Sequence, residues 1–304
     1  MLTRSVGSLQ VSEVGLGCNN FARRVDAAGT ASVLDAAIAA GVTFLDTAEV
    51  YGDGESETYL GRALRGRRDS VVLATKFGWR REVGGGARPE LVRPALEQSL
   101  KRLQVDHVDL YQLHHPDPAT PIADTLGALA ELVHEGLVRE IGCSNFSAEQ
   151  LSEAEAAVAS GAPRFISVQN EYSMLHREPE GEVLPACERL GLAFIPYFPL
   201  KSGLLTGKYR LGHPLPDGTR ITTSERLSEL TTEASLLRVE RLMEFARERG
   251  HELIDLAFAW LLAEPVVASV IAGATTAEQV KRNAAATQWR LSEADLASLE
   301  PLLS

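Results

Sequence analysis

"SVVLATK", residues 70–76, passes through four consecutive apolar side chains and ends on a lysine. A strand with one wet face alternates apolar and polar positions, whereas an unbroken apolar run suits a parallel strand covered on both sides. Further along, Val92, Leu96, Leu100 and Leu103 recur at the spacing of one helix face. Pro94 conflicts with that helix unless it lies in the first turn after Pro89, because proline removes an amide and crowds the preceding turn. The same unit of apolar run then amphipathic segment repeats along the chain. The runs occupy 13–17, 43–48, 70–76, 107–114, 138–144, 165–170, 192–197 and 267–273. Leu126, Leu129, Leu132 and Val133 form another helix face, and Thr120-Pro121, Ser147 and Thr276 supply helix-start chemistry. Eight strand and helix pairs close most simply into a (β/α)8 TIM barrel, with a doubly wound sheet as the alternative.

The first 17 residues alternate like a β-hairpin turning at Gly7-Ser8 and contain no long apolar segment of the secretory kind. The expected organisation is one barrel domain over 1–304, with the hairpin in 1–12 and long loops at 78–90 and 208–227. The triplet at 84–86 lacks the spacing of a phosphate-binding glycine loop. A net charge of -11 argues against nucleic acid as a partner. No segment reaches the roughly 18 apolar residues of a membrane span, so a cytoplasmic location is expected. Cys18, Cys143 and Cys187 are three in number and widely spaced, which suggests neither disulfides nor a zinc site. His114 and His115 are adjacent, and neighbours in a strand face opposite ways, so no metal site is expected.

Barrel enzymes carry their chemistry where strands end at the carboxyl face. The polar residues at those exits are Asp46 and Tyr51, Lys76, His114, Ser144 and Asn145, Gln169, and Tyr197. A phenol, with an ordinary pKa of about 10, donates a proton near neutrality only with help from a nearby cation. Lys76 is placed to lower the Tyr51 pKa, Asp46 to hold Lys76 charged, and His114 to orient a substrate oxygen. This set suits proton delivery to a carbonyl oxygen.

The segments "GVTFLDTAEVYGDGESE", "VVLATKFG", "DLYQLHHPD", "IGCSNF", "VQNEYSML", "YFPLKSGLLTGKY" and "VIAGATTAEQVKRN" resemble, in order and spacing, the signature segments of the aldo-keto reductase family, above all its bacterial and potassium-channel-β-like branches. The resemblance runs from about Val11 to Asn283. It implies a (β/α)8 barrel, a nicotinamide cofactor bound without a Rossmann motif, and a catalytic tetrad of Asp46, Tyr51, Lys76 and His114. Ser144, Asn145 and Gln169 match the residues that bind the nicotinamide carboxamide, and Tyr197 the aromatic stacked on the ring. Phe198, Pro199, Leu200, Gly203, Leu204 and Lys208 match the loop over the pyrophosphate, and Arg220 a further basic contact. Gly273, Thr275, Gln279 and Asn283 match the adenosine end.

Three departures accompany the resemblance. Gly273 and Gln279 stand where many relatives carry a lysine and an arginine for the 2'-phosphate, which weakens the preference the resemblance implies: NADPH is the expected cofactor, with NADH also possible. His115 stands where many have tryptophan, and the chain ends soon after the last helix, which together imply an open, less apolar substrate site. Phe21, Trp79, His115 and Tyr172 are the expected pocket walls. The expected activity is NAD(P)H-dependent reduction of an aldehyde or ketone, with Tyr51 as proton donor. A cofactor-sensing binding protein with slow or no turnover is the alternative, and a Schiff-base enzyme using Lys76 leaves Tyr51 and the Ser144-Asn145 pair unexplained. Substrate identity and oligomeric state are open.

Overall fold

The computed structural model describes residues 1–79, 86–158, 162–219, 221–222 and 230–303. An antiparallel hairpin, β1 (Thr3–Val6) and β2 (Leu9–Ser12), comes first. Eight parallel strands follow: β3 (Val14–Gly17), β4 (Phe44–Asp46), β5 (Val72–Phe77), β6 (Val108–Leu113), β7 (Val138–Ser144), β8 (Phe165–Gln169), β9 (Ala193–Phe194) and β10 (Val270–Gly273). They lie in sequence order, with β10 beside β3. The circle closes between β9 and β10, where Phe194 N donates to the Val266 carbonyl at 2.7 Å and Ala268 N to the Phe194 carbonyl at 2.9 Å. Bridges pair Phe194 with Val267 and Tyr197 with Ile271. The result is the (β/α)8 barrel, with each of the eight expected runs supplying a strand.

Two apolar layers follow from the two-residue period of each strand. Phe44, Ala74, Leu110 and Ile271 face inward, where Val6, Leu9 and Val11 of the hairpin join them. The hairpin therefore plugs the amino end of the barrel, and Ser8 N is tied to Glu140 Oε1 at 2.8 Å. Leu45, Leu73, Tyr111, Leu113 and Ile141 face outward into the layer shared with the helices. Moving two residues from each inward apolar side chain toward the carboxyl end reaches Asp46, Lys76 and Gln112. Strand register sets Lys76 opposite Gln112 and Ser144 opposite Gln169. The open end is thus ringed by polar groups as a direct result of pleat parity.

The helices include α1 (Ala27–Ala39), α2 (Glu55–Ala63), α3 (Pro89–Leu103), α4 (Ile122–His134), α5 (Ala148–Ala156) and α6 (Val183–Leu190). Ser147 begins α5 with a full capping box, and Thr276 caps the helix Ala277–Ala285 by accepting from Gln279 N. Thr120 does not cap α4; its hydroxyl bonds Asp117 at 2.9 Å instead. Pro94 proves compatible with α3 outside the first turn, since the helix runs through it to Leu103. The carbonyl it deprives of a partner is that of Glu90, an exposed residue that water can satisfy. No helix of the described residues is long and apolar enough to cross a membrane.

Gly61 lets α2 lie directly on the end of α3. A Cβ there would sit 2.4 Å from the Leu103 carbonyl oxygen, which is backbone and cannot yield. Gly61→Ala is expected to cost about 2 kcal/mol, and to lower the midpoint of a thermal melt by about 5 °C. An unchanged midpoint would show that the two helices can separate freely.

Candidate active site

Lys76 is the hub of the open rim. Its side chain is fully buried, and Nζ donates to Asp46 Oδ2 at 2.6 Å and to the Thr47 carbonyl at 2.9 Å. It also lies over the Tyr51 side chain, with Nζ 5.2 Å from the centre of the ring. The turn that presents Tyr51 is anchored on the next strand: Thr47 N bonds the Ala74 carbonyl and Glu49 N the Lys76 carbonyl. Tyr51 N then closes on the Ala48 carbonyl. The Tyr51 ring stands edge-on to His114, with centroids 6.0 Å apart. Asp46, Tyr51, Lys76 and His114 are therefore brought together.

The charges balance around burial. Desolvation pulls the Lys76 ammonium down, but Asp46 and then Tyr51 more than offset it, leaving its pKa above the ordinary lysine range. The Tyr51 phenol is raised by burial, and the lowering by Lys76 is smaller. This corrects the expectation of a net lowered tyrosine: the nearby Asp46 carboxylate adds to the rise, and the phenol holds its proton firmly.

Gln112 belongs to this cluster and was not anticipated. Its Nε2 donates to Asp46 Oδ1 at 3.2 Å, alongside Gln169 Nε2 at 2.9 Å. The signal was present in the spacing, since Gln112 lies two residues beyond the inward-facing Leu110 on one strand and shares its face. Asp46 thus accepts from an ammonium and two amides, which fixes its rotamer and its orientation toward Lys76.

Beside the tetrad, Ser144 Oγ donates to the Gln169 carbonyl at 2.6 Å, and Asn145 Nδ2 to the His114 carbonyl at 2.9 Å. Tyr197 completes this patch by donating to Asn145 Oδ1 at 2.8 Å. Asn145 has φ 63°, a left-handed conformation that asparagine tolerates well. The following loop is also left-handed at Phe198, Lys201 and Ser202 (φ 52°, 41° and 57°). Isolated left-handed residues among right-handed ones turn successive amides toward one side, a geometry suited to anions. Lys208 Nζ lies 3.3 Å from the position a Gly203 Cβ would take, within this loop with Pro199 and Leu200. The Leu204 side chain is buried in the core, so only its backbone faces the loop interior. Near the end of β10, Gln279 Oε1 accepts from Thr275 N at 2.7 Å and from Thr275 Oγ1 at 3.1 Å, and Asn283 is buried. Gly273 is exposed there, and Arg220 lies outside the described residues.

The expected pocket walls divide. Trp79 is 41% exposed and packs on both His114 and His115, at centroid distances of 4.5 and 4.8 Å. Phe21 and Tyr172 have no exposed surface and belong to the core; Tyr172 packs on Trp260 and Phe194 and bonds Glu180 at 3.0 Å. A fully enclosed ring cannot line an open pocket. The rings of His114 and His115 stack 5.3 Å apart, within 3° of parallel, because β6 ends at Leu113 and strand alternation no longer applies.

The chain matches known proteins along most of its length. The profile of the Aldo/keto reductase family matches residues 13–303. Protein tas of Escherichia coli strain K12 is 35% identical over 327 aligned positions, covering 96% of this chain and 94% of the relative. YrpG of Bacillus subtilis strain 168, described as an uncharacterized oxidoreductase, is 35% identical over 311 positions, covering 97% and 93%. With a match across the barrel and a rim that clusters an acid, a phenol, an ammonium and an imidazole, the chain belongs to the aldo/keto reductase family and is an oxidoreductase of that kind.

Proposed function

We propose that the chain, as one unit over residues 1–304, is an NAD(P)H-dependent carbonyl reductase in which Tyr51 is the proton donor. The observation that carries this reading is the buried Lys76, bonded to Asp46 at 2.6 Å and set over the Tyr51 ring at 5.2 Å. A bound nicotinamide supplies the hydride that adds to the carbonyl carbon. Tyr51 gives its proton to the carbonyl oxygen as negative charge grows there, and Lys76 stabilises the phenolate left behind. Asp46, held by Gln112 and Gln169, keeps Lys76 charged and aimed. His114 orients the carbonyl oxygen beside the phenol.

The residues present fit such a cofactor. Ser144, Asn145 and Gln169 offer hydroxyl and amide groups of the kind a carboxamide needs, and Tyr197 a flat ring face. The turned amides from Phe198 onward and the Lys208 ammonium suit a pyrophosphate. Around Gly273, Thr275, Gln279 and Asn283 the matching positions hold no cation, which leaves Lys208 the principal charge for a 2'-phosphate among the described residues.

The test is oxidation of NADPH and NADH by the purified protein with aldehydes, diketones and sugars, together with binding titrations of both cofactors. Turnover with NADPH favoured over NADH is expected, and absence of turnover across the panel overturns the reading. Lys208→Ala is expected to reduce the ratio of NADPH to NADH affinity by about tenfold, the size of one charge-assisted bond. Equal weakening of both cofactors would place Lys208 on the pyrophosphate alone.

A further inference from the structure

Glu49 is a buried-side acid that the mechanism above does not use. Its backbone amide bonds the Lys76 carbonyl, so it is fixed at the exit of β5. Its carboxylate faces the Gly78 and Trp79 amides just beyond that strand, and Oε1 accepts from Gly78 N at 2.9 Å. Gly78 is left-handed at φ 83°, and a Cβ there would lie 2.8 Å from Leu113 Cδ1, so the chain has to turn sharply at this point. The turn delivers the Trp79 indole onto His114 and His115. Burial raises the Glu49 carboxyl above its ordinary value, although the two amides oppose that; Glu57 adds to the rise and Arg102 reduces it.

On its other side the Gly78-Trp79 turn borders a cavity of about 520 Å³, whose walls include Glu49, Asp53, Leu91 and Arg102. The turn lies between this cavity and the two imidazoles, and Glu49 is tied to it through Gly78 N. A bond from a backbone amide to a charged carboxylate is strong and directional.

We propose that Glu49 is a positioning residue that sets the Trp79 wall of the substrate site, and that this wall favours carbonyl compounds bearing a flat aromatic group. The substrate part rests on the carbonyl-reductase reading; the positioning part does not. An indole tilted against His114 and still 41% exposed leaves surface for a ring attached to the reacting carbonyl. Aromatic stacking on a fixed partner is stronger than on a mobile one because less freedom is lost on binding.

The protein has three tryptophans, Trp79, Trp260 and Trp289, so 5-fluorotryptophan labelling gives a small fluorine NMR spectrum in which Trp79→Phe identifies the Trp79 signal. Glu49→Ala is expected to shift or broaden that signal alone. It should also raise KM for an aromatic aldehyde about tenfold, the size of one aromatic contact, while KM for a short aliphatic aldehyde and kcat for both stay within about twofold. Glu49→Gln keeps an oxygen that accepts from Gly78 N, guards against a folding failure, and should restore most of both effects. A Trp79 signal unmoved in Glu49→Ala overturns the positioning role. Equal losses on both aldehydes overturn the specificity role. If the unaltered protein reduces no carbonyl, the proposed reaction falls, and the fluorine signal still decides whether Glu49 holds Trp79.

Discussion

Tyr51→Phe will bind nicotinamide cofactor within about twofold of the parent and turn over about a thousandfold more slowly, the range in which a positioned acid contributes. The phenol oxygen is the only part removed, and the Tyr51 ring keeps its edge-on contact with His114. Lys76 retains both of its hydrogen-bond partners, Asp46 and the Thr47 carbonyl, so the fold is unaffected. Single-turnover kinetics with saturating cofactor isolate the chemical step. Because burial leaves the parent phenol raised, the group stays protonated through neutral and mildly alkaline pH. The parent reductive rate should accordingly hold level up to at least about pH 9 before falling as the phenol ionises. Full activity in Tyr51→Phe would remove Tyr51 from the mechanism.

Lys76→Met has the second large effect, and it falls on stability as well as rate. Lys76 and Asp46 side chains are 0% and 3% exposed, so deletion of the ammonium strands a carboxylate in the barrel mouth. Breaking one partner of such a pair costs about 3–5 kcal/mol, which corresponds to a melting midpoint lower by about 5–8 °C in a chain of this size. Gln112 and Gln169 remain to solvate Asp46 but carry no net charge. The double variant Lys76→Met with Asp46→Asn should regain most of the lost stability and none of the activity. If the single variant melts with the parent, the pair is not the buried unit described above.

The fold was legible because each strand announces itself twice, once as an apolar run and once through the helix that follows. Where proline intervenes, the reading overshot: the run at 192–197 yields a strand of only Ala193–Phe194, since Pro196 has no amide to donate to a ladder. Asp46 and Lys76 were legible through strand parity, because they stand two residues beyond Phe44 and Ala74 on the inward face, whereas Tyr51 and His114 lie past the strand ends. Three-dimensional consequences of that parity were harder to see. Gln112 is an ordinary amide within an apolar run until the register places it opposite Lys76. Glu49 is one acid among many until the turn at Gly78 brings two amides to it. Aromatic residues were the least legible, since nothing local separates Trp79, which faces the opening, from Tyr172, which is enclosed by Trp260 and Phe194. The net direction of the Tyr51 pKa required burial and charge to be weighed together, and sequence supplies only the charges.

The hairpin that fills the amino end has a practical consequence for remodelling this protein. It packs on Phe44, Ala74 and Leu110, a layer two residues or roughly 7 Å short of Asp46, Lys76 and Gln112, and residues separated in this way without shared partners contribute to stability nearly independently. Substitutions that tighten the packing of Val6, Leu9 and Val11 can therefore be combined freely with altered loops at the other end. The floor of the barrel can be reinforced first, and the margin so gained used to tolerate changes of selectivity above it.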